Sequence, residues 1–374
     1  MQFKDVIGQD STKQKLIQAV EEDRIPHAQL LVGPPGNGKL ALAVAFAQYI
    51  NCGHKMNTDS CGECSSCRKY SKLIHPDLHF TVPVIKTAAI DKPTSSDYMA
   101  KWRTYFLENP YPQYEKWMQL IADENKQGSI YVDEARDLIR KLNQKSYEAQ
   151  YKVSIIWLPE TMNLTCANKI LKILEEPPEK TMFILISEAE EKLLSTIRSR
   201  CQFIRVPKIS DSDLQVALAP MAAQTNSNPA IIARLSRGNY FLAQELMQND
   251  DLRKFNLFQF MAVMRNGYGR KLAEILAWSE EMATIGRVRQ MSLLKYCGEL
   301  LRENFLHNLK EPDLIFMDDQ EFEFSKKFSP FINEKNVILL FKEFESAYTD
   351  ISSNGNARLI FTDLGLRVSK LIRL

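Results

Sequence analysis

Two groups of residues in this sequence have the types and spacing to do chemistry. The first is Gly33-Pro34-Pro35-Gly36-Asn37-Gly38-Lys39-Leu40, which follows a short apolar run and leads into an alanine-rich one. Strand, glycine-rich turn and helix start together are the setting of a phosphate-binding loop. Backbone N–H groups and the helix N-terminus face an anion there, and the lysine reaches the phosphates. Gly33, Gly36, Gly38 and Lys39 are therefore candidate nucleotide-binding residues. A working loop also carries a serine or threonine hydroxyl after the lysine to hold Mg²⁺; here that position is Leu40. The strand expected to end in metal-holding and water-activating carboxylates reads Ile155-Ile156-Trp157-Leu158-Pro159-Glu160, with Trp157 and Leu158 at its end. Glu160 lies beyond a proline and is the one carboxylate nearby. Two separate losses in one site argue against hydrolysis, whereas Lys39 and the loop amides leave nucleotide binding open.

The second group is Cys52, Cys61, Cys64 and Cys67, spaced C-x8-C-x2-C-x2-C. Four thiolates at such spacing can close a tetrahedral Zn²⁺ site, which is structural because no coordination position stays open. His54 and His75 are weaker candidates as ligands. Cys166, Cys201 and Cys297 stand alone and read as small buried thiols. A third set, Trp102, Tyr105 and Phe106 followed by Tyr114, Trp117, Met118 and Ile121, has basic Lys101, Arg103 and Lys116 beside it. Aromatics interleaved with cations can stack on single-stranded nucleic acid. Their i, i+3, i+4 spacing is also that of a core-facing helical stripe, which is the reading preferred here.

These groups need elements to hold them. Gln29 to Val32, Val153 to Leu158, Met182 to Ile186 and Gln202 to Val206 are short apolar runs that read as buried strands. Helical patterns lie between them, at Leu16 to Val20, Leu40 to Ile50, Val132 to Leu142 and Ala167 to Leu174, the last stopped by Pro177-Pro178. Alternation of this kind predicts an α/β domain with a parallel sheet. From about Thr81 to Gln127 the pattern is irregular and aromatic-rich. After Pro207 it becomes helical throughout, with Ser210 or Asp211 as a cap and Gly238 as an interruption before Phe241, Leu242 and Leu246.

At 374 residues the chain suits two or three domains, and its 45 % hydrophobic and 25 % charged content is that of a globular protein. Its 48 basic and 46 acidic residues nearly cancel, so any nucleic-acid contact is local or shared with partners. No apolar run is long enough for a membrane span and the first residues are not those of a signal peptide, so a cytoplasmic location with reduced cysteines is expected.

The motifs, taken in order, resemble a known family. Val6-Ile7-Gly8-Gln9, Pro26-His27-Ala28, the phosphate loop, Leu174-Glu175-Glu176-Pro177-Pro178 and Ser199-Arg200-Cys201 are similar to the bacterial clamp-loader branch of the AAA+ superfamily, over about residues 1–250. Within that branch the decayed loop and strand end resemble subunits of the delta-prime type, and Phe241 stands where motor subunits place a lid arginine. The resemblance implies that Arg200 reaches across an interface to a neighbour's nucleotide, with Arg198 as the alternative donor. A guanidinium supplied in trans stabilises charge on a transferring phosphoryl group. It also implies that His27 marks the fold and that Gln9, Pro26 and His27 lie toward the adenine side.

The expected architecture is an AAA+ parallel-sheet P-loop domain over 1–206, carrying a zinc module (52–67) and an insertion (about 81–127). A helical lid over 207–251 and an all-α collar over 252–374 follow. The expected role is that of a non-hydrolysing clamp-loader subunit of the DNA polymerase III holoenzyme, containing structural Zn but making no use of ATP or Mg²⁺ itself. Its partners would be the motor subunits and the delta subunit, with the sliding clamp and primer-template DNA met through the complex and no membrane contact. The insertion would touch a neighbouring subunit or DNA. The rival readings are an active motor ATPase of the same family and a zinc-containing nucleic-acid-binding protein.

Overall fold

The computed structural model describes residues 1–87, 90–122, 127–225, 228–248, 250–309 and 315–374. The chain divides into two compact units, one of residues 1–224 with 236–244, the other of 225–235 with 245–374.

The first unit is built on a five-stranded parallel sheet, β1 (Ala28–Val32), β2 (Leu78–Thr81), β3 (Lys152–Trp157), β4 (Thr181–Ser187) and β5 (Gln202–Arg205), in the order β2-β3-β4-β1-β5. All four pairings are parallel. Every residue of β1, β3 and β4 is buried, as a sheet covered on both faces requires, and this is why those strands read as continuous apolar runs. Helices α1 (Asp10–Glu21) and α2 (Lys39–Ile50) follow the first motifs, and a short α3 (Ser65–Ser71) closes the cysteine segment. All twelve residues of α2 are buried, which fits its composition of alanine and larger apolar residues with no charge after Lys39. The insertion contributes α4 (Ser95–Glu108) and α5 (Tyr114–Ile121). Helices α6 (Val132–Leu142), α7 (Leu164–Glu175) and the single turn α8 (Ser195–Arg198) cover one face of the sheet. Leu138, Leu142, Ile170, Leu174 and Ile197 meet Leu30, Ile156, Phe183 and Leu185 there.

The sheet has one strand more than the sequence pattern indicates. β2 pairs with β3 from Leu78↔Val153 to Thr81↔Ile156. It is four residues long and interrupted by His79, too short to show a period of its own. The stretch that reads as irregular holds two helices, the first started by a capping box in which Thr94 and Asp97 exchange hydrogen bonds.

Helices α9 (Asp211–Thr225), α10 (Pro229–Leu235) and α11 (Tyr240–Gln248) come next. Ser210 caps α9, its Oγ accepting the Asp213 N–H at 3.1 Å. The second unit continues with α12 (Asp250–Gly269), α13 (Leu272–Thr284), α14 (Arg287–Asn308), α15 (Asp319–Phe328), α16 (Val337–Ser352) and α17 (Ala357–Leu371). Their shared core includes Phe260, Leu293, Leu301, Leu340, Phe344 and Phe361. Glu321 fixes the start of α15: it forms a capping box with Asp318 and accepts hydrogen bonds from Arg253 of α12 and Tyr296 of α14. A buried carboxylate is tolerable when it is paired and hydrogen-bonded in this way. Helices alone are described here, as the change of pattern after Pro207 predicts. Among the described residues no helix is long and apolar enough to cross a membrane.

Candidate functional site

The phosphate loop stands where the sequence places it, between the end of β1 and the start of α2. Gly36 and Gly38 both have left-handed backbone, at φ +69° and +87°, which glycine adopts without strain. Gly36 is also crowded: a Cβ there would lie 1.8 Å from Asn239 Oδ1. The Gly36 carbonyl accepts the Tyr240 N–H at 3.0 Å, so the loop is tied to the start of α11. Asn37 points inward, donating from Nδ2 to the Val206 carbonyl at 2.8 Å and the Pro207 carbonyl at 3.1 Å. Gln9 adds bonds to the carbonyls of Asn37 at 3.1 Å and Pro207 at 2.8 Å.

Lys39 turns back onto its own loop. Its Nζ donates to the Gly33 carbonyl at 2.8 Å, the Pro34 carbonyl at 2.6 Å and Asn37 Oδ1 at 3.1 Å, with Glu188 Oε1 at 3.9 Å. The ammonium is spent on the carbonyls of its own loop. Burial lowers its pKa to about 8, against the pull of the Glu188 and Glu160 carboxylates. Glu188, just beyond β4, moves the opposite way, raised by burial to about 7 although Lys39 favours its charged form. Glu188 belongs to this site and escaped the sequence reading; the signal was the Ser187-Glu188 pair ending an otherwise apolar strand.

The two missing chemical parts are missing in space as well. Leu40 is buried at the first turn of α2, and Trp157 fills the end of β3, its ring 5.0 Å from that of Trp102. Glu160 Oε1 accepts the N–H groups of Glu188 at 2.8 Å and Ala189 at 3.2 Å, so this carboxylate holds the turn after β4.

The aromatic set of the insertion is core. Trp102, Phe106 and Trp117 are fully buried, Tyr105, Met118 and Ile121 nearly so, and Trp117 Nε1 donates to the Pro83 carbonyl at 2.7 Å. The linker between α4 and α5, Pro110-Tyr111-Pro112, crosses the phosphate loop. Nothing in the sequence indicates that placement, since it depends on how the two helices dock.

Cys52, Cys61, Cys64 and Cys67 converge, with all four Sγ atoms within 4.8 Å of one another. Cys52 and Cys61 lie 3.5 Å apart and Cys61 and Cys67 3.9 Å. Four sulfurs each about 2.3 Å from a central ion would sit at such separations. The N–H groups of Cys61, Cys64 and Cys67 donate to the sulfurs of Cys52, Cys61 and Cys64 at 3.3–3.4 Å, bonds that favour thiolate. The Cys61 thiol is held down to about 6, chiefly by the N–H groups of Cys64 and Glu63. This cluster can hold a metal ion. His54 and His75 are outside it; His75 stacks on Tyr70 with ring centroids 4.6 Å apart and faces Glu148 at 3.3 Å.

Arg200 is half-exposed on the turn between α8 and β5. Nη1 donates to the Thr196 carbonyl at 2.9 Å and Nη2 meets Glu175 Oε1 at 2.6 Å. Arg198 instead lies over the Phe203 ring, 5.9 Å from its centroid. Phe241 is buried beneath Lys116, whose Nζ is 6.0 Å from the ring centroid.

Comparison with known proteins agrees with this geometry. The sequence is 33 % identical over 201 residues to the DNA polymerase III subunit delta' of Yersinia pestis, covering 53 % of this chain and 44 % of that one. It is 29 % identical over 243 residues to the subunit of the same name from Escherichia coli K12, covering 64 % and 59 %. Against the DNA polymerase III subunit tau/gamma of Haemophilus influenzae it is 24 % identical over 376 residues, covering 96 % and 48 %. The chain spans about half the length of these curated relatives. The family described as "DNA polymerase III, delta subunit" matches residues 8–210, from ahead of the phosphate loop through the Ser199-Arg200-Cys201 turn. That match takes in more than half of the chain, and the protein therefore belongs to the DNA polymerase III delta subunit family.

Proposed function

We propose that this chain is a non-hydrolysing clamp-loader subunit of the delta-prime type, which leaves its own nucleotide site silent and supplies Arg200 to the ATP site of a neighbouring subunit. The observation that carries the reading is the state of Lys39: its ammonium is bound to the carbonyls of Gly33 and Pro34, beside a first helical turn with no hydroxyl and a strand end filled by Trp157. Arg200, by contrast, is partly open to solvent on a short turn. In this reading residues 207–251 act as a lid and 252–374 as the collar joining the motor and delta subunits. The sliding clamp and primer-template DNA are met through the assembled complex, in the cytoplasm. The four cysteines hold a structural Zn²⁺, supported by a donor set of four thiols with short sulfur separations. The test is Mg²⁺-ATP turnover by the purified chain without partners. No turnover is expected; a measurable, Lys39-dependent rate would overturn the reading in favour of an active motor.

A further inference from the structure

The insertion packs over the phosphate loop. Its two helices are anchored by Trp102 against Trp157 at 5.0 Å and against Trp117 at 5.1 Å, and by the Tyr114 hydroxyl, which exchanges hydrogen bonds with the backbone of Gly128 at 2.8 and 3.1 Å. That anchorage carries the linker Pro110-Tyr111-Pro112 onto Gly36–Leu40. The Tyr111 ring lies so close to Gly38 that a Cβ there would be 2.7 Å from Tyr111 Cε1. Its other side packs on Tyr240, centroids 4.8 Å apart, and its hydroxyl accepts the Ile7 N–H at 2.8 Å. The cavity left among the loop, the linker, Trp157 and Glu188 is about 10 Å³, the room of a single water.

We propose that the Pro110–Pro112 linker is a built-in stopper of the nucleotide site, so that this chain excludes nucleotide through its insertion as well as lacking the groups to hydrolyse it. This goes beyond the proposed function, which requires no turnover and says nothing about occupancy. Leu40 and Trp157 remove metal ligands, but neither blocks the loop amides at the start of α2. Tyr111 does, from above Gly38. Beneath it, the Lys39 ammonium bonds to the carbonyls of Gly33 and Pro34 in its own loop. The stopper is tethered at both ends by helices whose aromatic faces are buried and is held by a hydrogen bond from Ile7, so it costs little entropy to hold in place.

The experiment is equilibrium binding of ATP, with and without Mg²⁺, to the full chain and to Tyr111→Phe, Tyr111→Leu and Tyr111→Ala, each checked for an unchanged far-ultraviolet spectrum and cooperative melting. Wild type and Tyr111→Phe, which keeps the ring, should bind ATP too weakly to saturate. Tyr111→Ala should gain roughly tenfold or more in affinity, ~1.4 kcal/mol, and Tyr111→Leu less. The gain should disappear when Lys39→Ala is added and should not depend on Mg²⁺, since Leu40 offers no metal ligand. Saturable micromolar binding by the wild-type chain would overturn the stopper whatever the variants do. So would a folded Tyr111→Ala or Tyr111→Leu with no gain. Either result leaves the absence of turnover a separate question.

Discussion

Arg200 and Glu175 are joined by an ion pair of 2.6 Å, which links the Ser199-Arg200-Cys201 turn to the last residue of α7. Both side chains are more than a third exposed, so the pair contributes about 1 kcal/mol or less to stability. Its interest lies in orientation: Glu175 and the Thr196 carbonyl hold the guanidinium in one place without burying it. On the proposed role, Arg200→Ala in a reconstituted clamp loader should lower ATP hydrolysis at a neighbouring subunit's site by roughly 10³-fold. Arg200→Lys should rescue little, because an ammonium lacks the planar fork. Glu175→Ala should change the rate less than roughly tenfold and shift thermal stability by about 1 kcal/mol or less. Single-turnover rates of the complex would check all three.

Metal removal should act on folding and not on any chemistry. On the proposed zinc site, Cys64→Ser is expected to lower bound zinc below one per chain and to destabilise the first unit by more than the roughly 3 kcal/mol that bounds ordinary substitutions. Metal analysis together with urea denaturation would show this; one full zinc per chain in the variant would contradict it.

Gly36→Ala should be severe and Gly53→Ala bland. At Gly36 the backbone is left-handed and the new Cβ would fall on Asn239 Oδ1, which already accepts the Leu242 N–H at 3.0 Å. At Gly53 nothing lies within 4 Å of the new atom. A loss of about 2–3 kcal/mol is expected at Gly36 and less than about 0.5 kcal/mol at Gly53, read from chemical denaturation.

Glu188 gives a pH dependence whose sign follows from its raised pKa. Between its ordinary value of 4.5 and about 7 the folded chain binds more protons than the unfolded one, so this group's contribution to stability falls as pH rises through that window. Glu188→Gln removes the loss. The variant should gain stability relative to wild type from pH 4.5 to 7 and hold the gain above it. A shift of that size caps the difference at about 3 kcal/mol, and solvent at the part-exposed carboxylate reduces it. Lys39 works the other way at higher pH. Lowered to about 8, it makes the folded state more favourable as pH rises from there toward 10.5. Paired denaturation curves across pH would separate the two groups.

The positions of Leu40 and Trp157 were readable because each is fixed by local rules: the residue after Lys39 opens α2, and the end of β3 follows an apolar run. The cysteine cluster was readable for a similar reason, since two C-x2-C steps confine the ligands to one short segment. The strands β1, β3 and β4 announce themselves by burial on both faces; β5 was expected to be buried too, but three of its four residues are exposed, because it lies at the edge of the sheet. β2 does not announce itself, because four residues including His79 carry no period and its strand character comes from pairing with β3. Tyr111 was equally hidden. Its prolines mark a turn, but where that turn lands depends on Trp102 finding Trp157, a contact between distant parts of the chain. Glu188 lay between these cases, flagged by a polar strand end yet given meaning only by Lys39.

The Trp102–Trp157 contact also constrains what position 157 can carry. A carboxylate at position 157 would place a charge against the fully buried Trp102, in a cavity that Lys39 and Glu188 also line. A hydroxyl at position 40 would stand at the first turn of α2 with Trp157, not a carboxylate, at the end of β3. Trp157 is thus a keystone shared by two tasks, closing the end of β3 and seating the insertion, so a substitution there disturbs both at once.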